Sequence, residues 1–71
     1  MARRGMVETE GVVEKLLGGG FLEVLLDNGH RVTVKLSGRL RQYKIRVLSG
    51  DKVKVELSKA DLLKGFIVYR L

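Results

Sequence analysis

Hydrophobic residues recur at every second position along most of this chain, and that period of two constrains its fold more than any other feature. Val53, Val55 and Leu57 alternate with Lys52, Lys54 and Glu56. Val32, Val34 and Leu36 alternate with Arg31, Thr33 and Lys35. Successive side chains of an extended strand point to opposite faces, so each run reads as a strand with one buried and one solvated face. Leu22, Val24 and Leu26 form one face of a further run from Phe21 to Leu26, although Phe21 and Leu25 make its other face partly apolar. The first strand is expected from Met6 to Leu17, with Gly11 inside it marking a bulge or sharp bend. The last strand is expected from Phe66 to Leu71.

Glycines and short polar clusters punctuate these runs. Gly18-Gly19-Gly20 separates the first two strands, and Ser49-Gly50-Asp51 makes another turn. Asn28-Gly29 lies at the centre of Asp27 to His30 and predicts a tight hairpin, because a type I′ turn needs positive φ at both central residues. Ser58 to Gly65 reads as a longer loop, with Asp61-Leu62-Leu63 as one helical turn. The alternation fails between Ser37 and Lys44, where Leu40 and Tyr43 stand three apart. That spacing predicts a short helix, with Ser37 as its cap. Arg46 is then expected to open the fourth strand.

The order is strand, strand, strand, short helix, strand, strand. Five short strands in 71 residues leave sheet edges that closure into a barrel removes. The expected fold is therefore all-β: a five-stranded closed OB-fold barrel with a short helix between strands 3 and 4. An SH3-like barrel has no helix at that point. The chain reads as a single OB-fold domain over 1–71, with residues 1–5 as a flexible N-terminal arm.

Size and inventory exclude several functions. A domain of 71 residues buries only about 60% of its unfolded surface, which leaves roughly 3–5 kcal/mol from its core and little room for a deep cofactor cavity. The sequence has no Cys, so a disulfide framework, a thiolate zinc site and a cysteine nucleophile are absent. His30 is the only histidine and flanks the Asn-Gly turn, where it reads as an exposed turn residue. Glu8, Glu10 and Glu14 share the spacing of one strand face, but they read as the charges of a solvated edge rather than an acid–base pair. Gly18-Gly19-Gly20 leads into a strand and lacks the lysine of a phosphate loop. No enzyme activity, cofactor or metal is expected. No apolar run is long enough to span a membrane, and no signal peptide follows Arg3 and Arg4, so the expected compartment is the cytoplasm.

The charge is unevenly placed. The net value is +6, from 14 Lys+Arg against 8 Asp+Glu. No acid occurs from Asn28 to Gly50, and that stretch carries Arg31, Lys35, Arg39, Arg41, Lys44 and Arg46. The rest of the chain holds as many acids as bases, so the whole positive excess lies in this window. An uninterrupted basic segment of this kind reads as a polyanion-binding surface. Arginine dominates it, and its planar fork suits phosphates and stacking on bases. Tyr43 lies within it as either a stacking platform or a core residue beside Leu40. Phe21, Phe66 and Tyr69 stand too far apart in the sequence to suggest an aromatic ladder, which favours recognition of a folded RNA through its backbone.

An ordered set of motifs then narrows the reading. Asp27-Asn28-Gly29-His30 is followed by Leu36-Ser37-Gly38-Arg39-Leu40-Arg41, by the run from Ile45 to Val53 and by Val55-Glu56-Leu57. Asp61-Leu62, Lys64-Gly65 and Ile67-Val68-Tyr69-Arg70 continue it. In this order and without gaps from about Gly11 to Arg70, the set resembles bacterial translation initiation factor one. The resemblance implies a five-stranded OB fold. It implies binding to 16S ribosomal RNA at the A site of the small ribosomal subunit, beside a small-subunit ribosomal protein and together with initiation factors two and three, as a monomer. The family's RNA-holding basic residues carry over onto Arg39, Arg41 and Arg46, and further to Lys64 and Arg70. Arg31, Lys35, Tyr43 and Lys44 join them as candidates from the charge window alone.

The chain departs from the family pattern at several surface positions. Lys35 stands where a histidine is frequent, Ala60 where a tyrosine is, and Phe66 where a basic residue is usual. The family's tyrosine next to the isoleucine of the fourth strand is displaced to Tyr43, with Lys44 in its place. Two other functions stay open at this point: a general single-stranded nucleic-acid binder similar to cold-shock proteins, and a barrel that serves protein contact or has no ligand.

Overall fold

The computed structural model describes residues 5–61 and 64–71. Its elements in chain order are β1 (Met6–Leu16), β2 (Phe21–Leu26), β3 (Arg31–Leu36), α1 (Gly38–Gln42), β4 (Lys52–Ser58) and β5 (Gly65–Arg70). The strands form a closed barrel in the order β1-β2-β3-β5-β4. All neighbours are antiparallel except β3 and β5, which run parallel over two register pairs, Lys35 with Phe66 and Leu36 with Ile67. This is the expected all-β barrel with its helix between the third and fourth strands.

The period of two sets the core. Leu22, Val24 and Leu26 of β2, Val32 and Val34 of β3, Val53, Val55 and Leu57 of β4 and Ile67 of β5 all turn inward and are buried. Leu40 of α1 and Val47 of the following connection close one end. The helix lies against the ends of β3 and β5, and the Ser37 N–H donates to the Ile67 carbonyl at 2.8 Å.

β1 is shared between both sides of the barrel. Its first part, Met6 to Val12, pairs with β4, and its second part, Gly11 to Leu16, pairs with β2. Gly11 and Val12 pair with both at once. The expected bulge lies not at Gly11 but between Val13 and Lys15, where the register against β2 shifts. Gly11 answers a different need. A Cβ there would lie 2.6 Å from the Leu25 carbonyl oxygen and 2.8 Å from Val24 Cγ1. Two backbones cross too closely for any side chain.

Two further expectations change in detail. The β2–β3 connection is not a type I′ turn. Asn28 lacks positive φ, Gly29 takes it at 91°, and the Leu26 N–H donates to the His30 carbonyl at 2.8 Å. Asp27, Asn28 and Gly29 thus form a three-residue loop that ends on a left-handed glycine, the next most common hairpin class. Arg46 does not open the fourth strand: residues 45–51 form an irregular connection, and β4 begins at Lys52. The turn at Ser49 to Asp51 is stitched to β1, with Gly50 N–H donating to Val13 O at 2.7 Å and Val13 N–H to Asp51 O at 2.9 Å. Such cross-links hold the connection in place of a ladder.

The expected arm over residues 1–5 lies outside the described residues except for Gly5, whose carbonyl accepts from Lys59 N–H at 2.9 Å. The expected helical turn at Asp61-Leu62-Leu63 lies outside them at Leu62 and Leu63. Among the described residues no helix is long and apolar enough to cross a membrane.

The Gly11 crossing yields a stability test. Gly11→Ala forces the β1 and β2 backbones apart and is expected to cost about 1–3 kcal/mol, as overpacking does. Gly38→Ala meets nothing within 4 Å and is expected to stay within about 1 kcal/mol of the parent. Urea denaturation at constant m-value measures both.

Candidate nucleic-acid interface

The basic residues are set by α1 and by the two connections that flank it. Ser37 caps the helix, with the Leu40 N–H donating to Ser37 Oγ at 3.4 Å, a long bond near the limit of useful geometry. The other end closes more firmly. Ile45 N–H donates to Leu40 O at 2.9 Å and Lys44 N–H to Arg41 O at 3.2 Å, the paired bonds of a Schellman motif. The residue that must turn left-handed there is usually glycine, and here it is Lys44, at φ 55°. A β-carbon in that conformation costs about 1–2 kcal/mol. The alternation and the charge pattern carried no sign of this strain.

The register decides which cations are free. On the outer face of β1 and β4, Glu10 pairs with Lys52 at 3.8 Å and Glu8 with Lys54 at 3.5 Å. Glu14, the residue left out of register at the bulge, accepts from Arg31 Nε at 2.7 Å. The hydrogen bond to the Glu14 carboxylate, then its charge, raises the Arg31 pKa above its ordinary value. Arg31 is thus engaged within the protein. Among the described residues Arg39, Arg41, Lys44, Arg46 and Lys64 have no ion pair. Arg70 Nη1 donates to the Arg46 carbonyl at 2.9 Å, which fixes one strand end to the connection after α1.

The sequence candidates form distinct groups. Lys35 and Arg41 line a cavity of about 200 Å³ with Gly19, Gly20 and Leu36. Lys35 and Lys64 share a wider groove of about 590 Å³ with Phe21 and Phe66. Arg39 faces the opposite side of β5, in a cleft with Glu8, Lys54, Glu56 and Tyr69. Tyr43 and Lys44 stand exposed at the end of α1. Tyr43 is 67% exposed, so it does not pack in the core beside Leu40.

Two features escaped the sequence. Phe21 and Phe66 are distant in the chain, yet Phe21 pairs with Lys35 across β2–β3 and Lys35 pairs with Phe66 across β3–β5. The two rings flank one lysine, and the expectation of dispersed aromatics fails for this pair. Outward parity of both residues was legible, but the parallel pairing that joins them was not. Glu56 is the second feature. Alternation places it outward, yet it is only 6% exposed. Among the described residues no buried side-chain oxygen or nitrogen lacks a hydrogen-bond partner.

Comparison with known proteins decides the family. Residues 3–71 match the family described as translation initiation factor 1A / IF-1. The chain belongs to the translation initiation factor 1A / IF-1 family. A chloroplastic IF-1 from Pinus koraiensis is 46% identical over 71 residues, covering 100% of this chain and 95% of its own. The solution structure of the same translation initiation factor from the Wolbachia endosymbiont strain TRS of Brugia malayi superposes with a TM-score of 0.82 at 41% identity, covering 96% of this chain and 80% of that one. YjeQ from Thermotoga maritima shares the fold, with a TM-score of 0.74 at 23% identity over 92% of this chain and 23% of its own. IF-1 membership brings a role in translation initiation, with RNA and the ribosome as its setting. The Pinus relative is chloroplastic, so membership fits an organelle as well as the expected cytoplasm.

The two helix ends should respond in opposite directions to substitution. Lys44→Gly relieves the left-handed strain and is expected to raise stability by about 0.5–1 kcal/mol, after the entropy of a new glycine is discounted. Ser37→Ala removes a long cap and is expected to cost about 0.5–1 kcal/mol, the low end for such caps. Calorimetric melting of both variants checks the signs.

Proposed function

We propose that this chain is a non-enzymatic initiation factor that binds 16S ribosomal RNA at the A site of the small ribosomal subunit. It does so beside a small-subunit ribosomal protein and in company with initiation factors two and three. The observation that carries the reading is the set of cations without ion pairs on α1 and its flanks, held in a chain of the IF-1 family. Arg39 and Arg41 project from the helix, Arg46 follows it, and Lys64 and Arg70 lie on or beside β5. Phosphate contacts from such cations, spread around α1 and the neighbouring end of the barrel, position a folded RNA without reading its sequence. Lys35 adds a cation beside Arg41, and Tyr43 and Lys44 stand exposed at the end of α1. Arg31, already bonded to Glu14, contributes least.

One observation favours a second reading, a general single-strand binder: the exposed ring pair of Phe21 and Phe66. Competition separates the two. Binding to small ribosomal subunits should be displaced by an authentic initiation factor of the family, and persistence of the signal in its presence would refute the A-site reading. Arg41→Glu with Arg46→Glu is expected to weaken subunit binding and to lower the slope of log K against log salt by about two. Both side chains are exposed, so the melting temperature should hold. Unchanged subunit affinity in the double variant would count against this surface.

A further inference from the structure

We propose that the groove between β3 and the start of β5 receives one unpaired nucleobase, stacked against Phe21 and Phe66, with Lys35 and Lys64 on the adjoining phosphates. The proposal rests on the reading of the chain as an RNA binder and adds where a base would go.

The groove exists because β3 and β5 pair only at their ends. Lys35 meets Phe66 and Leu36 meets Ile67, while the earlier part of β3 has no partner on that side among the described residues. The space left, about 590 Å³, lies within the ~300–1,000 Å³ range of small-molecule sites. Phe21 and Phe66 are 40% and 41% exposed, against at most 7% for the residues of the core. Two rings half-open to water on either side of one lysine form an apolar surface without a partner inside the fold.

Charge identifies the occupant. Among the described residues the only charged ones that line the groove are Lys35 and Lys64, and both are positive. Glu56 lies beyond Phe66 in the register but is buried and lines the cleft on the other side. Lys35 also lines the neighbouring cavity with Arg41 and the bare backbone of Gly19 and Gly20. Lys35 thus belongs both to the groove it shares with Lys64 and to the cavity it shares with Arg41, so cations flank two successive sites, as a phosphodiester backbone requires. A flat base fits the ring faces, and stacking of this kind tolerates any base. Lys35 Nζ already rests 4.7 Å from the Phe21 centroid. That contact is weak at an exposed site, and an arriving base would send the ammonium to a phosphate instead.

The probe is a fluorescein-labelled hexaadenylate, compared by anisotropy with a six-unit abasic ribose-phosphate strand of the same charge. The double variant Phe21→Leu, Phe66→Leu keeps apolar bulk and removes both rings. Its affinity for hexaadenylate is expected to fall about tenfold or more, with the abasic strand and the salt slope unaffected. Equal hexaadenylate affinity in parent and variant would overturn the proposal, as would parent binding to the abasic strand as tight as to hexaadenylate. Should the variant not fold, NMR of the parent chain decides: hexaadenylate is expected to shift the Phe21 and Phe66 ring protons, and static ring signals on saturation would refute stacking. If ring-dependent hexaadenylate binding holds while small subunits are not bound, the groove stands and the A-site reading falls. If the variant loses subunit binding but keeps hexaadenylate affinity, the groove takes a protein segment and the proposal fails.

Discussion

The structure depends on one strand being able to pair in two directions. Residues Met6 to Leu16 make a strand of eleven, about twice the usual length, and spend half of it on each neighbour. At Gly11 the strand belongs to both, and there the opposing backbone approaches within a distance that forbids a β-carbon. The crossing sets the curvature, and the curvature lets five strands close in a chain too small to bury an open sheet. Gly65 makes a second close approach, where an added Cβ would clash with the Glu56 carbonyl oxygen. Both glycines are fixed by sterics between backbones, not by turn conformation.

Closure also sorts the charges. The acids of β1 face lysines of β4 and an arginine of β3, so the wall they share is nearly neutral. Exposed pairs of this kind contribute about 0–1 kcal/mol each and do little for stability. Their consequence is spatial. They absorb positive charge on one side of the barrel and leave Arg41, Lys44 and Arg46, at and beyond the end of α1, without ion pairs among the described residues. The sequence window from Asn28 to Gly50 contained this asymmetry, but Arg31 lies inside that window and is removed from the field by Glu14, a residue outside it.

What the sequence disclosed follows from how local each signal is. β2 and β3 were readable to the residue because strict alternation has a single interpretation once one face is apolar. The Ser37 cap and the short helix were readable because capping acts over three residues. The β2–β3 loop was misjudged because Asn-Gly suits several turns, and only pairing of Leu26 with His30 shows which one the strands accept. Of the two causes Gly11 suggested, the bulge falls at Glu14 instead, while at Gly11 the strand passes from one neighbour to the other through a crossing too close for a β-carbon. The candidate site was legible as charge and illegible as shape. Phe21 and Phe66 meet through the non-local β3–β5 pairing, and Tyr43 could be placed only by its exposure.

That short pairing has a thermodynamic consequence of its own. A barrel is closed only as firmly as its weakest ladder, and here the weakest is a parallel seam two residue pairs long, joining segments about thirty positions apart in the chain. Its loop-closure entropy is the largest of any ladder except that of β1 with β4, and it returns the fewest hydrogen bonds. Local opening should therefore begin there, with amide protons near Lys35 and Phe66 exchanging well before those buried under β1. The barrel is less a sealed cylinder than a clasped one, and its clasp lies beside Lys35 and Lys64.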